Sequence, residues 1–147
     1  MIEIREVQAS EYVAEAAELV ALDQHELESH LDNAPAINEG VLHRLEESGA
    51  MHTLGVFDNG KVVGYCMFIV YPHLHYAWSM AQCSALYLHP EYRRGRIGLK
   101  LMTRAEARAK ELGARIMSWT AKPNTALSKL LEARKVPVED INYFKEL

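Results

Sequence analysis

Cysteine is almost absent from this 147-residue chain, which has only Cys66 and Cys83 and no Cys-x-x-Cys motif. Both lie in apolar, strand-like sequence, so they read as buried thiols of a reducing compartment and not as metal ligands or a disulfide framework. A basic excess is missing as well. Sixteen Lys and Arg stand against twenty Asp and Glu, and the formal net charge of −4 argues against non-specific nucleic-acid binding. No basic-then-apolar leader opens the sequence, and the longest apolar run, Val62 to Tyr71, includes Gly64 and is too short to span a bilayer. A cytoplasmic protein is the expectation. The final Lys-Glu-Leu, with no secretory signal before it, carries no retention meaning. Two familiar nucleotide loops are also lacking: there is no Gly-Lys-Ser/Thr, and no Gly-x-Gly-x-x-Gly follows an N-terminal strand. Repeats, low-complexity tracts and linkers are absent, so residues 1–147 read as one domain with a single core.

What is present is an ordered alternation of patterns. Ile2 to Val7 alternates apolar with charged residues and reads as a strand, after which Ser10 is placed to cap a helix with Val13, Ala16, Ala17 and Val20 on one face. An acidic stretch, Asp23 to Asp32, extends that helix and contains His25 and His30. A second helix is predicted over Ile37 to Glu47, ending at Gly49. Met51 to Phe57 and Lys61 to Tyr71 flank Asp58-Asn59-Gly60, a strong hairpin signal, and the second strand is apolar enough to be central. A further strand is expected over Ser79 to Leu88. Beyond it a helix from Gly98 to Gly113 carries Leu99, Met102, Ala105, Ala109 and Leu112, then a strand covers Arg115 to Thr120, a helix Asn124 to Arg134, and a strand pair Val136 to Lys145.

The most telling segment is Tyr87-Leu-His-Pro-Glu-Tyr-Arg-Arg-Gly-Arg-Ile-Gly-Leu-Lys-Leu-Met102, where a strand runs into an arginine- and glycine-rich turn and then a helix. Such a turn gathers backbone N–H groups and the positive end of a helix dipole at one point, which suits a phosphate or pyrophosphate. The segment resembles the acyl-CoA loop of the GCN5-related N-acetyltransferase (GNAT) family, Gln/Arg-x-x-Gly-x-Gly/Ala. Arg93 matches the first position and Gly98 the last, while Arg96 stands where the family has Gly and Gly95 comes one place earlier. The element order β-α-α-β-β-β-α-β-α-β is likewise that of the family. The resemblance therefore implies an α/β fold with a mixed, mainly antiparallel central sheet flanked by helices.

It also implies a chemistry: transfer of acetyl from acetyl-CoA to a primary amine of a small molecule or peptide, by direct attack and without a metal. The main chain of Leu86, Tyr87 and Leu88 would meet the pantetheine arm, one amide stabilising the oxyanion; Arg93, Arg94, Gly95, Arg96, Ile97 and Gly98 would hold the pyrophosphate; Asn124 would contact the pantetheine region. An amine with pKa about 10.4 is almost wholly protonated at neutrality, so a proton route is needed. Where some relatives carry a carboxylate base, eleven residues before Arg93, this chain has Gln82, which can orient a water. Where many place a tyrosine acid it has Leu131, and Lys135-Val136 replaces the family's Gly-Phe. Tyr143 is the substitute acid. Glu26 and Glu28, in the acidic stretch, would face a cationic acceptor. The seven histidines offer no zinc-site spacing, so no metal is expected. A homodimer fits the family, and a non-catalytic acyl-CoA-binding or regulatory module on the same fold is the alternative.

Overall fold

The structure is a computed structural model that describes residues 1–27 and 37–147. The alternating N-terminal segment forms strand β1 (Ile2–Val7), which leads into a single helical turn, α1 (Ala9–Tyr12), and then α2 (Ala17–Leu27). The expected first helix is thus broken. Ser10 does not cap it; the Glu46 carboxylate, from α3 (Glu39–Glu47), accepts from the Ala9 N–H and from the Ser10 hydroxyl, so a second helix supplies the cap. Tyr12, Ala16 and Leu19 are buried, whereas Ala17 is exposed.

Strands β2 (Met51–Asp58) and β3 (Lys61–Pro72) form the expected hairpin, with φ of 48° at Asn59 and 84° at Gly60. Both values lie in the left-handed region that Asn and Gly tolerate. Strand β4 (Ser79–Leu88), helix α4 (Ile97–Glu111), strand β5 (Ala114–Ser118) and helix α5 (Ala126–Ala133) complete the order. The sheet runs β1-β2-β3-β4-β5, antiparallel throughout except that β5 lies parallel to β4. A parallel neighbour requires a crossover, and α4 provides it. The apolar β3 is central, as its composition predicts. Past α5 the chain from Val136 forms no strand: the expected terminal pair over 136–145 is not made, and Val138, Ile141, Tyr143 and Phe144 are all at least 71% exposed. Alternating apolar residues give strand propensity, but a strand must also find a partner edge.

The sheet buries both faces. Leu101, Ala105 and Ala109 of α4 pack on Leu54, Val56, Val63, Cys66 and Phe68; on the other face Tyr12, Ala16 and Leu19 cover Phe57, Val62, Tyr65 and Tyr87. A bulge in β4 adjusts this division. Met67 pairs with Ala85 and Phe68 with Cys83, so Ser84 is the extra residue, and the alternation changes phase there. Ala81 and Cys83 lie under α4 before it; Leu86 and Leu88 do so after it, while Ala85 and Tyr87 turn toward α1 and α2.

Candidate active site

The geometry starts where β5 leaves β4. Their pairing runs from Ser79–Ala114 to Gln82–Ser118 and stops, although β4 continues to Leu88, where among the described residues β3 is its one strand neighbour. The bulge at Ser84 falls just beyond the last pair, and the extra twist of a bulge favours such a departure. Backbone groups alternate in direction along a strand. The His89 N–H donates to Val63 O at 2.9 Å, and the Tyr87 carbonyl faces Gly64, where a Cβ would lie 2.9 Å from it. Tyr87 therefore points its main chain at β3. Leu86 and Leu88 point theirs the other way, into the gap. Of the three residues expected to meet an amide-bearing arm, two have the backbone orientation for it.

Beyond Leu88 the chain makes one tight turn over Pro90–Tyr92 and reaches the arginine-rich loop. Gly95 has φ of 110° and nothing within 4 Å of where a Cβ would stand, and at Gly98 a Cβ would meet only Leu88 Cδ2, at 3.9 Å. The loop is an open cradle. It ends on Arg96, whose side chain does not cap α4, and the first in-helix bond is from Lys100 N–H to Arg96 O at 2.9 Å. The N–H groups of Ile97, Gly98 and Leu99 thus have no acceptor among the described residues. Arg94 and Arg96 are exposed beside them. These features fit a diphosphate: unpaired donors, the positive end of a 15-residue helix, and room for phosphate to approach.

Arg93 behaves differently from its neighbours. Its Nε donates to Leu88 O at 2.7 Å, and its Nη1 and Nη2 donate to the two oxygens of Glu26 at 2.5 and 2.7 Å. The Tyr87 hydroxyl donates to Glu26 at 3.0 Å, and the Arg93 guanidinium lies 5.1 Å from the centre of the Tyr87 ring. Hydrogen bonds from Arg93 hold the Glu26 carboxyl below its ordinary pKa, and burial followed by the bond to Glu26 pushes Tyr87 up to about 12. Nearby, the Tyr65 hydroxyl donates to Asp23 at 2.7 Å and Tyr12 to Gly64 O at 2.5 Å. Burial raises the pKa of both, so all three tyrosines stay protonated at neutral pH.

The remaining expected residues are scattered. Gln82 is exposed on the face opposite α4 and accepts from the Tyr71 hydroxyl at 3.3 Å. Asn124 sits with φ of 62° at the turn before α5, whose cap is Thr125, reciprocally bonded with Ser128. Tyr143 is 90% exposed on the segment that forms no strand, so the sheet position on which its proposed role rested is not made. Glu28 lies outside the described residues. Glu26 was expected to face an acceptor, but its carboxylate is engaged by Arg93 and Tyr87. Sequence reasoning missed that network because its members are far apart in the chain; the one available signal was an acidic helix end and a lone extra arginine in the loop. Among the described residues no group of three or more His, Cys, Asp or Glu could hold a metal.

The site is thus a mixed sheet opened between a parallel strand pair, with the N-terminus of α4 at its mouth. The sequence pattern described as "Acetyltransferase (GNAT) family" matches residues 16–134, and the chain belongs to that family. No curated protein matches it in sequence. Among solved structures it is similar to a ribosomal-protein-alanine N-acetyltransferase from Brucella melitensis biovar Abortus 2308, with a TM-score of 0.80 and 19% identity over 100% of this chain and 99% of that one. An aminoglycoside acetyltransferase from an uncultured soil metagenomic sample, in complex with sisomicin, gives 0.77 and 17% over 99% and 95%. A transcriptional regulator from Bacillus halodurans C-125 gives 0.77 and 16% over 100% and 99%. At such identities the likeness concerns the fold.

Proposed function

We propose that the chain is an N-acetyltransferase that moves acetyl from acetyl-CoA to a primary amine of a small molecule or peptide, by direct attack with both partners bound. The observation that carries this reading is the pairing of two backbone sets that have no partner among the described residues, the gap-facing groups of Leu86 with the Leu88 N–H, and the amides of Ile97 to Leu99; the Leu88 carbonyl is taken by Arg93. The first set suits the amides of a pantetheine arm and the second a pyrophosphate. When bound, acetyl-CoA supplies the activated thioester. The protein's part is to align it: a gap-facing N–H donates to the thioester carbonyl, while Arg94, Gly95, Arg96, Ile97 and Gly98 hold the phosphates and Asn124 flanks the arm.

The acceptor must lose a proton, and Gln82, exposed and steadied by Tyr71, orients the water that takes it. Tyr65 and Tyr87 are committed to carboxylates, and Tyr143, exposed on the C-terminal segment, is the tyrosine assigned in this reading to return a proton to the departing thiolate. Tyr143→Phe is expected to lower kcat about 10²-fold with stability unchanged, whereas an unaltered kcat assigns that proton to solvent. A cationic polyamine or aminoglycoside-like amine suits the net negative charge.

Acetyl-CoA titration by calorimetry tests the site. Gly98 leaves room for a side chain within the fold, so Gly98→Glu should remain folded yet place a carboxylate at the phosphate position, weakening binding by about 2 kcal/mol or more. Unchanged affinity in the folded variant overturns the assignment. A second reading, a non-catalytic acyl-CoA-binding or regulatory module, is favoured by Gln82 and Leu131 standing where relatives handle protons. Acetyl-CoA binding without release of free thiol across an amine screen would select it.

A further inference from the structure

Arg93 opens the loop proposed to hold the pyrophosphate, yet its side chain makes three charge-assisted or polar bonds that lead elsewhere. One reaches the last carbonyl of β4, and the other two grip the C-terminal turn of α2 through Glu26. Tyr87 closes the arrangement from the sheet, donating its hydroxyl to the same carboxylate while its ring lies under the guanidinium. Each group is committed. The Glu26 oxygens accept from Arg93 and Tyr87, and the three Arg93 nitrogens all donate. A forked guanidinium–carboxylate pair fixes direction as well as distance, because two parallel bonds resist rotation.

We propose that Glu26 is a positioning residue: it draws Arg93 away from the phosphates and makes it a strut that ties α2 to the root of the cofactor loop and to the free edge of β4. This rests on the acetyl-CoA reading above. The consequence is a division of labour within Arg93-Arg94-Gly95-Arg96, in which Arg94 and Arg96, exposed and with no ion pair among the described residues, provide the positive charge for phosphate, and Arg93 provides the shape. A second consequence is coupling. The strut joins α2 to β4 and the loop, so a change in α2 at Glu26 reaches acetyl-CoA binding although the carboxylate itself would repel a phosphate.

That last point makes the sign of the effect decisive. If Arg93 were a phosphate ligand restrained by Glu26, releasing it with Glu26→Gln would tighten acetyl-CoA binding; if it is a strut, the same change loosens the loop and weakens binding. Glu26→Asp keeps the charge but shortens the arm by one methylene, so only the strut predicts that it behaves like Glu26→Gln. Calorimetric titration of acetyl-CoA should show about fivefold weaker binding for Glu26→Gln, Glu26→Asp and Arg93→Met, with the Glu26→Gln/Arg93→Met double variant no weaker than either single one, because members of one network are non-additive. Raising the salt concentration should weaken binding to Arg93→Met as steeply as to the parent, and less steeply for Arg96→Ala. Thermal unfolding confirms that each variant is folded at the titration temperature. Tighter binding by Glu26→Gln, parent-like affinity for Glu26→Asp, or additive losses would each overturn the strut. Failure of the underlying reading looks different: the parent itself would not bind acetyl-CoA, or Gly98→Glu would bind as the parent does.

Discussion

The two faces of the sheet are built from different chemistry. Under α4 the packing is mainly aliphatic and thiol-bearing around a single buried aromatic ring, Phe68: Leu101 and Ala105 are fully buried, and Cys66 and Cys83 lie among them, the Cys66 thiol held protonated by its bond with Cys83 and by burial. Under α1 and α2 the core is aromatic, and its three tyrosines each send a hydroxyl to a fixed acceptor, Gly64 O, Asp23 or Glu26. Apolar burial is non-directional and tolerates small rearrangements, whereas hydrogen bonds to carboxylates specify where a helix sits. The first face holds the sheet together; the second places α2 against the arginine-rich loop.

The contrast can be broken at its strongest point. Leu101→Ala removes a fully buried side chain and should cost about 2–5 kcal/mol in urea unfolding, while leaving acetyl-CoA affinity unchanged where the variant is folded. On the other face, Tyr65→Phe keeps the ring and removes the bond to Asp23, so a loss of about 1–2 kcal/mol is expected. If the tyrosine change proved the more damaging to stability, the assignment of packing to one face and placement to the other would be reversed. A site outside both faces serves as a control. Lys135 holds φ of 56° where α5 ends, so Lys135→Gly should relieve backbone strain and stabilise the protein by about 0.5–1 kcal/mol in the same assay.

The smallest effect is the part of the pH dependence that arises on the polar face. Because Arg93 lowers the Glu26 pKa in the folded protein below its ordinary 4.5, the stabilisation is complete above that value and is lost as pH falls through the lowered one. The parent should therefore lose more stability than Glu26→Gln on acidification below about pH 5, and the difference isolates this carboxylate from Glu6 and Asp58, whose pKa values are also lowered. Parallel pH profiles for the two proteins would remove Glu26 from the account.

Much of the architecture could be read locally. Asn59-Gly60 determined a hairpin because only residues tolerant of positive φ fit the turn, and the apolar run of β3 required a central position because both its faces need cover. Gly49 and Gly113, both at positive φ, ended helices where the sequence placed the ends. The departure from the family at Lys135 also resolves in these terms, since lysine takes the left-handed position that glycine would fill. Other features needed the partner to be seen. Helical spacing grouped Leu99 with Met102, Ala105, Ala109 and Leu112, but the structure buries Leu101 with Met102, Ala105 and Ala109 and leaves Leu99 half-buried, because the face of α4 laid on the sheet is turned toward Leu101.

The candidate site divides along the same line. Strand, arginine- and glycine-rich turn and helix are contiguous, so the order of residues by itself determined a helix start at Ile97 to Leu99, with backbone donors whose availability depends only on helix geometry and which the proposed function assigns to a pyrophosphate. Tertiary structure alone decided what the side chains around it do. The phase change at Ser84 sends Tyr87 to one face and Leu86 and Leu88 to the other, and the end of β4–β5 pairing at Gln82 opens the gap. Glu26 meets Arg93 across 67 positions of sequence. Local geometry propagates along a chain and can be read from it, but a charge finds its partner only when packing has brought two distant segments within the few ångströms over which a forked ion pair forms.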